Sequence, residues 1–322
     1  MHYSKIGTGI VLTLTASVLS PAMAAEAKFP TKPIEVIIPF QPGDTDNLLR
    51  PFLERMGEFL GEPVNLVYRP GAAGGVGAGL VANSKPDGHM LLGSSHSSVV
   101  VVPLTNKQVS YDTDSFEPVA ALVESGSLLV VLSSSPWKSF EELVEYSKTS
   151  PGKLTYTSSG TFGVNHLIPE ALSKEAGLKW THIPSQGSGP AITATLGGHV
   201  NMAATAIGPA KAHLEAGTLR PLVSFGQNRL KAFPDVPTLK ELGYSISSPS
   251  YYGILAPKST PKETVDALYD AAAKATEKYK EQISERLNTF GVEVKLLPPE
   301  EYREYLNGQK KLFSGIYSSL SQ

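Results

Sequence analysis

The chain has 322 residues, with 28 lysines and arginines against 30 aspartates and glutamates, a net charge of −2, and 41% apolar residues. That balance, with no Lys/Arg run, excludes nucleic acid as an expected partner, and the absence of cysteine excludes disulfides, thiolate catalysis and cysteine metal sites. The apolar content is enough to furnish the cores of two ordinary domains.

In chain order, the first 25 residues read as a cleaved secretory signal. His2 and Lys5 precede an apolar stretch from Ile6 to Leu19, and Ala22 and Ala24 supply the small residues of an A-x-A cleavage site. The stretch is shorter than the ~20 residues a spanning helix needs, so export is expected rather than anchoring. With no cysteine there is nothing to lipidate.

Ile34 to Phe40 is a β-rich run, followed by the loop Gln41-Pro-Gly-Asp-Thr-Asp46 and then by Leu48, Leu49, Phe52, Leu53 and Met56 at helical spacing. Pro63 to Tyr68 predicts a strand, Val76 to Asn83 a helix and His89 to Gly93 another strand, so the rhythm is βα. The glycine cluster Gly71 to Gly77 lacks the Gly-Lys-Ser/Thr ending of a P-loop and the spacing of a dinucleotide fingerprint, and is read as tight strand-to-helix packing. A third loop, Ser94-Ser-His-Ser97, follows a strand and is placed to line a cleft. No Gly-x-Ser-x-Gly elbow surrounds Ser94.

The strand, loop and helix order recurs at Leu154 to Ala176. Leu154 to Thr157 leads into Ser158-Ser-Gly-Thr-Phe-Gly163, then into a helical segment with Leu167, Ile168, Ala171 and Leu172 that Gly177 closes. In both places a helix start offers backbone N–H groups without intrahelical partners and a partial positive charge, and small residues let a carboxylate or phosphate approach. Trp180 to Pro184, Pro190 to Leu196, Val200 to Ala206, Ala210 to Ala216 and Leu219 to Phe225 continue the alternation. The fold class predicted is therefore α/β with mostly parallel sheets, ligands lying beyond the carboxyl ends of the strands.

Gly226 to Ser250, with Pro234, Pro237 and Pro249, reads as a return crossing before Tyr251 to Ala256. Thr260-Pro-Lys-Glu263 reads as a capping box opening a long amphipathic helix to about Leu287, and a further helix begins near Pro299. These helices are expected on the first lobe, giving lobe 1 as residues 26–126 plus 228–322 and lobe 2 as an inserted 127–227, with two crossings as the hinge. The seven histidines are scattered without i, i+4 histidine pairs, so no metal site and no cofactor are expected.

Taken together, several of these pieces resemble the exported solute receptors of tripartite tricarboxylate transporters, the Bug proteins. The matching pieces are Lys32 to Phe40, Arg69-Pro-Gly71, Pro86-Asp-Gly88, Pro151 to Leu154, Tyr156 with Ser158 to Gly160, His166-Leu167, His182 to Pro184, Gly197-Gly198, Pro234 to Pro237 and Tyr252 to Pro257. Their order and spacing span nearly the whole mature chain. The resemblance implies a two-lobed type II periplasmic binding protein, a Venus flytrap that holds a carboxylate solute largely by backbone amides and water and delivers it to membrane permease subunits. No enzymatic activity is implied, and a monomer in the periplasm is expected. Carried onto this sequence, it points to Phe40, Gly43, Thr45 and Asp46 in the first loop and to Ser158, Ser159, Gly160 and Thr161 in the second. Asp46 doubles as the natural N-cap of its helix, as a pure cap or as a cap that also shapes the pocket. His166 is read as neutral and hydrogen-bonded. Ser94, Ser95, Gln186 and Thr205 complete the ligand-binding set, and Tyr251 and Tyr252 are candidates for core or hinge packing.

The sequence departs from the family pattern in a first loop one residue shorter, with Asp44 where a glycine is common, so that Asp44 joins the candidate ligand-contacting residues. Ser185-Gln186 stands in place of a Tyr-Lys pair, and Asn201 and Thr205 in place of acidic residues, which gives an uncharged pocket wall. Two other readings remain beside the transport receptor: a ligand-sensing partner of a membrane sensor kinase, and an exported hydrolase.

Overall fold

In the strand Ile34–Ile38 (β1) four of five side chains are buried, as a strand covered on both faces requires. The computed structural model describes residues 1–2, 29–185 and 187–320. Residues 3–25 of the expected secretory signal, and Gln186, lie outside the described residues.

From β1 the chain runs through α1 (Asp44–Leu60), β2 (Val64–Tyr68), α2 (Gly75–Ala82), β3 (Met90–Ser95), α3 (Val102–Thr105) and β4 (Phe116–Ser125). It crosses at Gly126 into β5 (Ser127–Leu132), α4 (Phe140–Thr149), β6 (Leu154–Ser158), α5 (Val164–Ala176), β7 (Trp180–Pro184), α6 (Ser188–Leu196), β8 (Met202–Ala206), α7 (Ile207–Glu215) and β9 (Leu219–Ser224). It returns for β10 (Ser250–Pro257), α8 (Lys262–Lys278), α9 (Lys280–Asn288), β11 (Glu293–Leu297) and α10 (Pro299–Leu320).

Two sheets result, a six-stranded one in the order β11-β4-β10-β3-β1-β2 and a five-stranded one in the order β7-β6-β8-β5-β9. Both are mixed. The parallel pairing expected from the βα rhythm holds among β1, β2 and β3 and among β6, β7 and β8. The strands at the hinge run the other way: β10 is antiparallel to β3 and β4, and β5 to β8 and β9. A strand entered directly from the other lobe, without a crossover helix, is free to pair antiparallel.

These hinge strands fix where the two sheets meet. Ser127 at the start of β5 pairs with Ala206 at the end of β8, and Ser125 at the end of β4 pairs with Ser250 at the start of β10. The chain therefore changes lobes at the carboxyl edges of the parallel strands, so the loops after β1 and β3 face those after β6 and β8.

Packing past residue 227 differs from the expected division. Leu239 and Ile246 of the return segment enter the core formed by β6, α4 and α5, and Ser224 bridges to Thr238, so this part of the segment packs on the second sheet, while Lys231 pairs with Glu293 of β11 in the first. The C-terminal helices do not all sit on the first lobe either. α8 and α9 do, through Leu268, Ala272, Ile283 and Leu287 against Phe52 and Met56 of α1. α10 straddles the hinge: Tyr302 and Leu306 lie in the core of the first sheet, Phe313 and Ile316 in that of the second.

Candidate functional site

The site forms where the parallel strands end. α1 begins at Asp44, earlier than the sequence pattern implies, because Gly43 at φ 150° turns the chain directly from β1 into the first helical turn. Asp44, Thr45 and Asp46 are thus helical residues, and the N-cap is Gly43 rather than Asp46. Asp46 occupies the third helical position, from which its Oδ1 accepts the Gly43 N–H at 2.6 Å. Its Oδ2 accepts from Tyr68 Oη at 2.9 Å and from Arg50 at 3.3 Å, and Arg50 also donates to Tyr68 Oη at 2.7 Å. Burial raises the Asp46 pKa, but the bonds from Gly43, Tyr68 and Arg50 outweigh it and hold the carboxyl below its usual range. Asp46 braces the first turn with both oxygens engaged.

Four helices start at this cleft without a side-chain cap: α1 after Gly43, α5 after Gly163, α6 after Gly187 and α7 after Ala206. α4, which follows a strand running away from the cleft, is capped by Ser139, whose hydroxyl accepts the Glu142 N–H at 3.3 Å. Helix starts without a side-chain acceptor leave N–H groups for water or for a ligand anion.

The second loop is built on a ring cluster. β6 and β7 pair in parallel with Tyr156 opposite His182, and His166 of α5 lies with its ring centroid 4.1 Å from that of His182. Ser158 Oγ donates to the Gly160 carbonyl at 2.8 Å, so its oxygen accepts from His182 Nε2, also at 2.8 Å. Phe162 N–H donates to His166 Nδ1 at 3.0 Å, which requires that nitrogen to be unprotonated. Burial holds both imidazoles neutral, with pKa values pushed down to about 4; for His182 the neighbouring His166 adds to the effect. Tyr156 Oη donates to Glu170 Oε1 at 2.5 Å and lies 3.2 Å from the His166 carbonyl, closing the network. Above it, Ser159, Thr161 and Phe162 are exposed, and Phe162 holds a left-handed φ of 60°.

Phe40 lies against Gly74 at the start of α2. The hydroxyl of Ser94 bonds that of Ser98 at 2.6 Å, and Ser95 Oγ accepts from the Ser97 N–H at 3.4 Å. His96 is stacked on Phe313 with its Nδ1 2.6 Å from Tyr305 Oη, and burial pushes its pKa down to about 3. Ser94 and His96 are therefore bonded to different partners and do not form a nucleophile and base pair. Thr205 is fully buried, its hydroxyl donating to the Ala206 carbonyl at 3.2 Å.

Asp44 faces α7 of the opposite lobe. Its Oδ2 accepts the Tyr252 hydroxyl at 3.0 Å, and its Oδ1 stands 3.6 Å from where a side chain would begin on Gly208 of α7. Burial raises its pKa above the usual carboxylate value against the opposing bond from Tyr252, and nearby Asp46 adds to the rise. The roles of Tyr156, His182, Tyr252 and Gly208 are not legible in the sequence: each depends on strand register or on the meeting of the two lobes. The one local signal is the recurrence of glycine before the cleft helices α1, α5 and α6.

Two mixed α/β sheets joined by a hinge, with uncapped helix starts facing one another across it, define a two-lobed solute receptor of the periplasmic binding protein class. The chain belongs to the tripartite tricarboxylate transporter family receptors, whose family model matches residues 48–316. Among curated relatives, the "UPF0065 protein in gbd 5'region" of Cupriavidus necator is 36% identical over 290 residues, 88% of this chain and 86% of that protein. A solved periplasmic transporter superposes with a TM-score of 0.81 at 33% identity, covering 90% of this chain and 97% of that one. MatC from Rhodopseudomonas palustris with bound malate gives 0.79 at 27% (89% and 99% covered), and R. palustris Rpa4515 with adipate gives 0.80 at 26% (90% and 97% covered).

Proposed function

We propose that the protein is an extracytoplasmic receptor that binds a small organic carboxylate between its lobes and delivers it to the permease of a tripartite tricarboxylate transporter. The observation that carries this reading is the set of uncapped helix starts of α1, α5, α6 and α7 at one cleft. Aligned N–H groups and helix dipoles favour a carboxylate there without a charged side chain. In this reading the first turn from Asp44 to Asp46 and the loop from Ser158 to Thr161 contact the ligand from opposite lobes, with Phe40 and Ser95 beside it and the fully buried Ser94 and Thr205 beneath the cleft wall; Gln186 is a candidate from the sequence alone. The malate and adipate of the two R. palustris neighbours are ligands of the same chemical class.

A ligand touching both lobes favours the closed arrangement by the contacts it gains there, and closure presents the permease with a distinct surface. The expected secretory signal directs the receptor to the periplasm, where it works as a monomer. The test is a thermal-shift screen of mono- and dicarboxylates followed by calorimetry. A ligand at 100 times its Kd adds about 2.7 kcal/mol of stability, a rise of several degrees in Tm for a protein of this size. A panel of such acids producing no shift would remove the proposal.

A further inference from the structure

Asp44 carries an inference about which carboxylates the cleft accepts, and it rests on the receptor reading above. A carboxylate in a pocket lined by helix starts repels the anion those starts attract, so its presence needs a compensating partner in the bound complex. The protein supplies only part of one. Tyr252 donates to Oδ2, and among the described residues no lysine or arginine pairs with Asp44, whereas Asp46 two residues on is engaged by Arg50. Oδ1 is left facing Gly208, the second helical residue of α7 in the opposite lobe, where the missing side chain keeps the space beside it clear. The nearest other neighbour of that space is Phe290, which offers no hydrogen-bond donor from its ring.

We infer that Asp44 is a specificity-determining residue and that the solute pairs its carboxylate with an ammonium group, which donates to Asp44 Oδ1 between α1 and α7. The two charges of such a zwitterion meet two different features of the cleft. The carboxylate takes backbone N–H groups at the helix starts, and the ammonium neutralises Asp44, whose Oδ1 stands between α1 and α7. A plain dicarboxylate of the same length would set a second negative charge against Asp44 instead.

The experiment is calorimetric titration of the full mature chain with matched pairs: L-aspartate against succinate, L-glutamate against glutarate, and 6-aminohexanoate against adipate. The ammonium-bearing member of at least one pair is expected to bind roughly tenfold or more tightly than its partner, the range of a charge-assisted hydrogen bond. Asp44→Asn keeps an acceptor for Tyr252 and is expected to erase or invert that preference, with Tm of the ligand-free variant as the check on folding; Asp44→Ser serves if the amide variant does not fold. Equal or tighter binding of the plain acids by the wild-type protein, or a preference unchanged in both variants, overturns the inference while leaving the receptor reading in place. Binding of none of the six compounds or of any other carboxylate overturns both.

Discussion

Acidification should weaken this protein through His166, and the amount can be worked out. His166 accepts the Phe162 N–H at Nδ1 and is packed between His182 and Phe162, and its burial there pushes its pKa from 6.5 to about 4. As pH falls through 6.5 the unfolded chain takes up a proton on this residue while the folded chain does not, so stability is lost across the window from about 6.5 down to about 4 and levels off below it. Linkage at about pH 5 gives a loss of ~2 kcal/mol from His166 relative to neutral pH. His182 titrates in the same window, but it is only partly buried and solvent screening reduces its share. Urea unfolding at about pH 7.5 and about pH 5, on the wild type and on His166→Asn, isolates the effect. The asparagine oxygen can still accept the Phe162 N–H, and every other titrating group is common to both proteins. The wild type should lose ~2 kcal/mol more than the variant between the two pH values; an equal loss in both would refute the argument. Because a proton on Nδ1 removes the acceptor that holds Phe162, solute affinity should fall only as the pH approaches about 4, where the folded chain takes up that proton.

Three further outcomes can be checked. Asp46→Ala deprives the Gly43 N–H, Tyr68 and Arg50 of their acceptor and should lower the unfolding free energy by about 2–3 kcal/mol, with Tm unchanged as the contrary result. Gly160 sits at φ 146° with nothing within 4 Å of the position a Cβ would take, so Gly160→Leu meets no clash but strains the backbone by about 1–3 kcal/mol; it should lower Tm while leaving a folded protein, and reduce solute affinity at least roughly tenfold by blocking backbone approach, whereas wild-type affinity in calorimetry would place the site elsewhere. At Gly208 a Cβ would make only ordinary contacts with Asp44 at 3.6 Å and Phe290 at 3.8 Å. The longer branch of Gly208→Leu would collide with both and hold the lobes apart, which solution scattering should report as a radius of gyration that no longer decreases with ligand.

What the sequence discloses is whatever depends on neighbours along the chain. The strands and helices of the βα units are legible because burial on both faces demands apolar runs and amphipathic helices demand a 3.6-residue period. The pattern cannot show where a helix breaks for a tertiary reason. The stretch expected to be one helix to about Leu287 divides at Tyr279, which leaves the helical region at φ −110°, ψ 22° and turns its hydroxyl to Glu58 of α1 with Arg55 over its ring. Likewise α10 carries an apolar stripe along its whole length, and a stripe does not say that its first half meets one sheet and its second half the other.

The same distinction explains which parts of the site are legible. A helix start is a short-range feature, set by the residue before the first turn, so the small residues at 43, 160 and 163 advertise an anion site from the sequence alone. Asp46 shows the limit of that logic: aspartate favours the N-cap position, yet one φ of 150° at Gly43 moves the helix start three residues earlier and turns the aspartate into a brace that reaches back. The residues that give the cleft its chemistry beyond generic anion binding are long-range. Tyr156, His166 and His182 meet only because β6 and β7 pair in one register. Tyr252 reaches Asp44 across 208 residues of chain. A receptor scaffold can therefore keep its local glycine signature while its solute changes, since the signature encodes the charge being bound and the distant contacts encode the rest of the molecule.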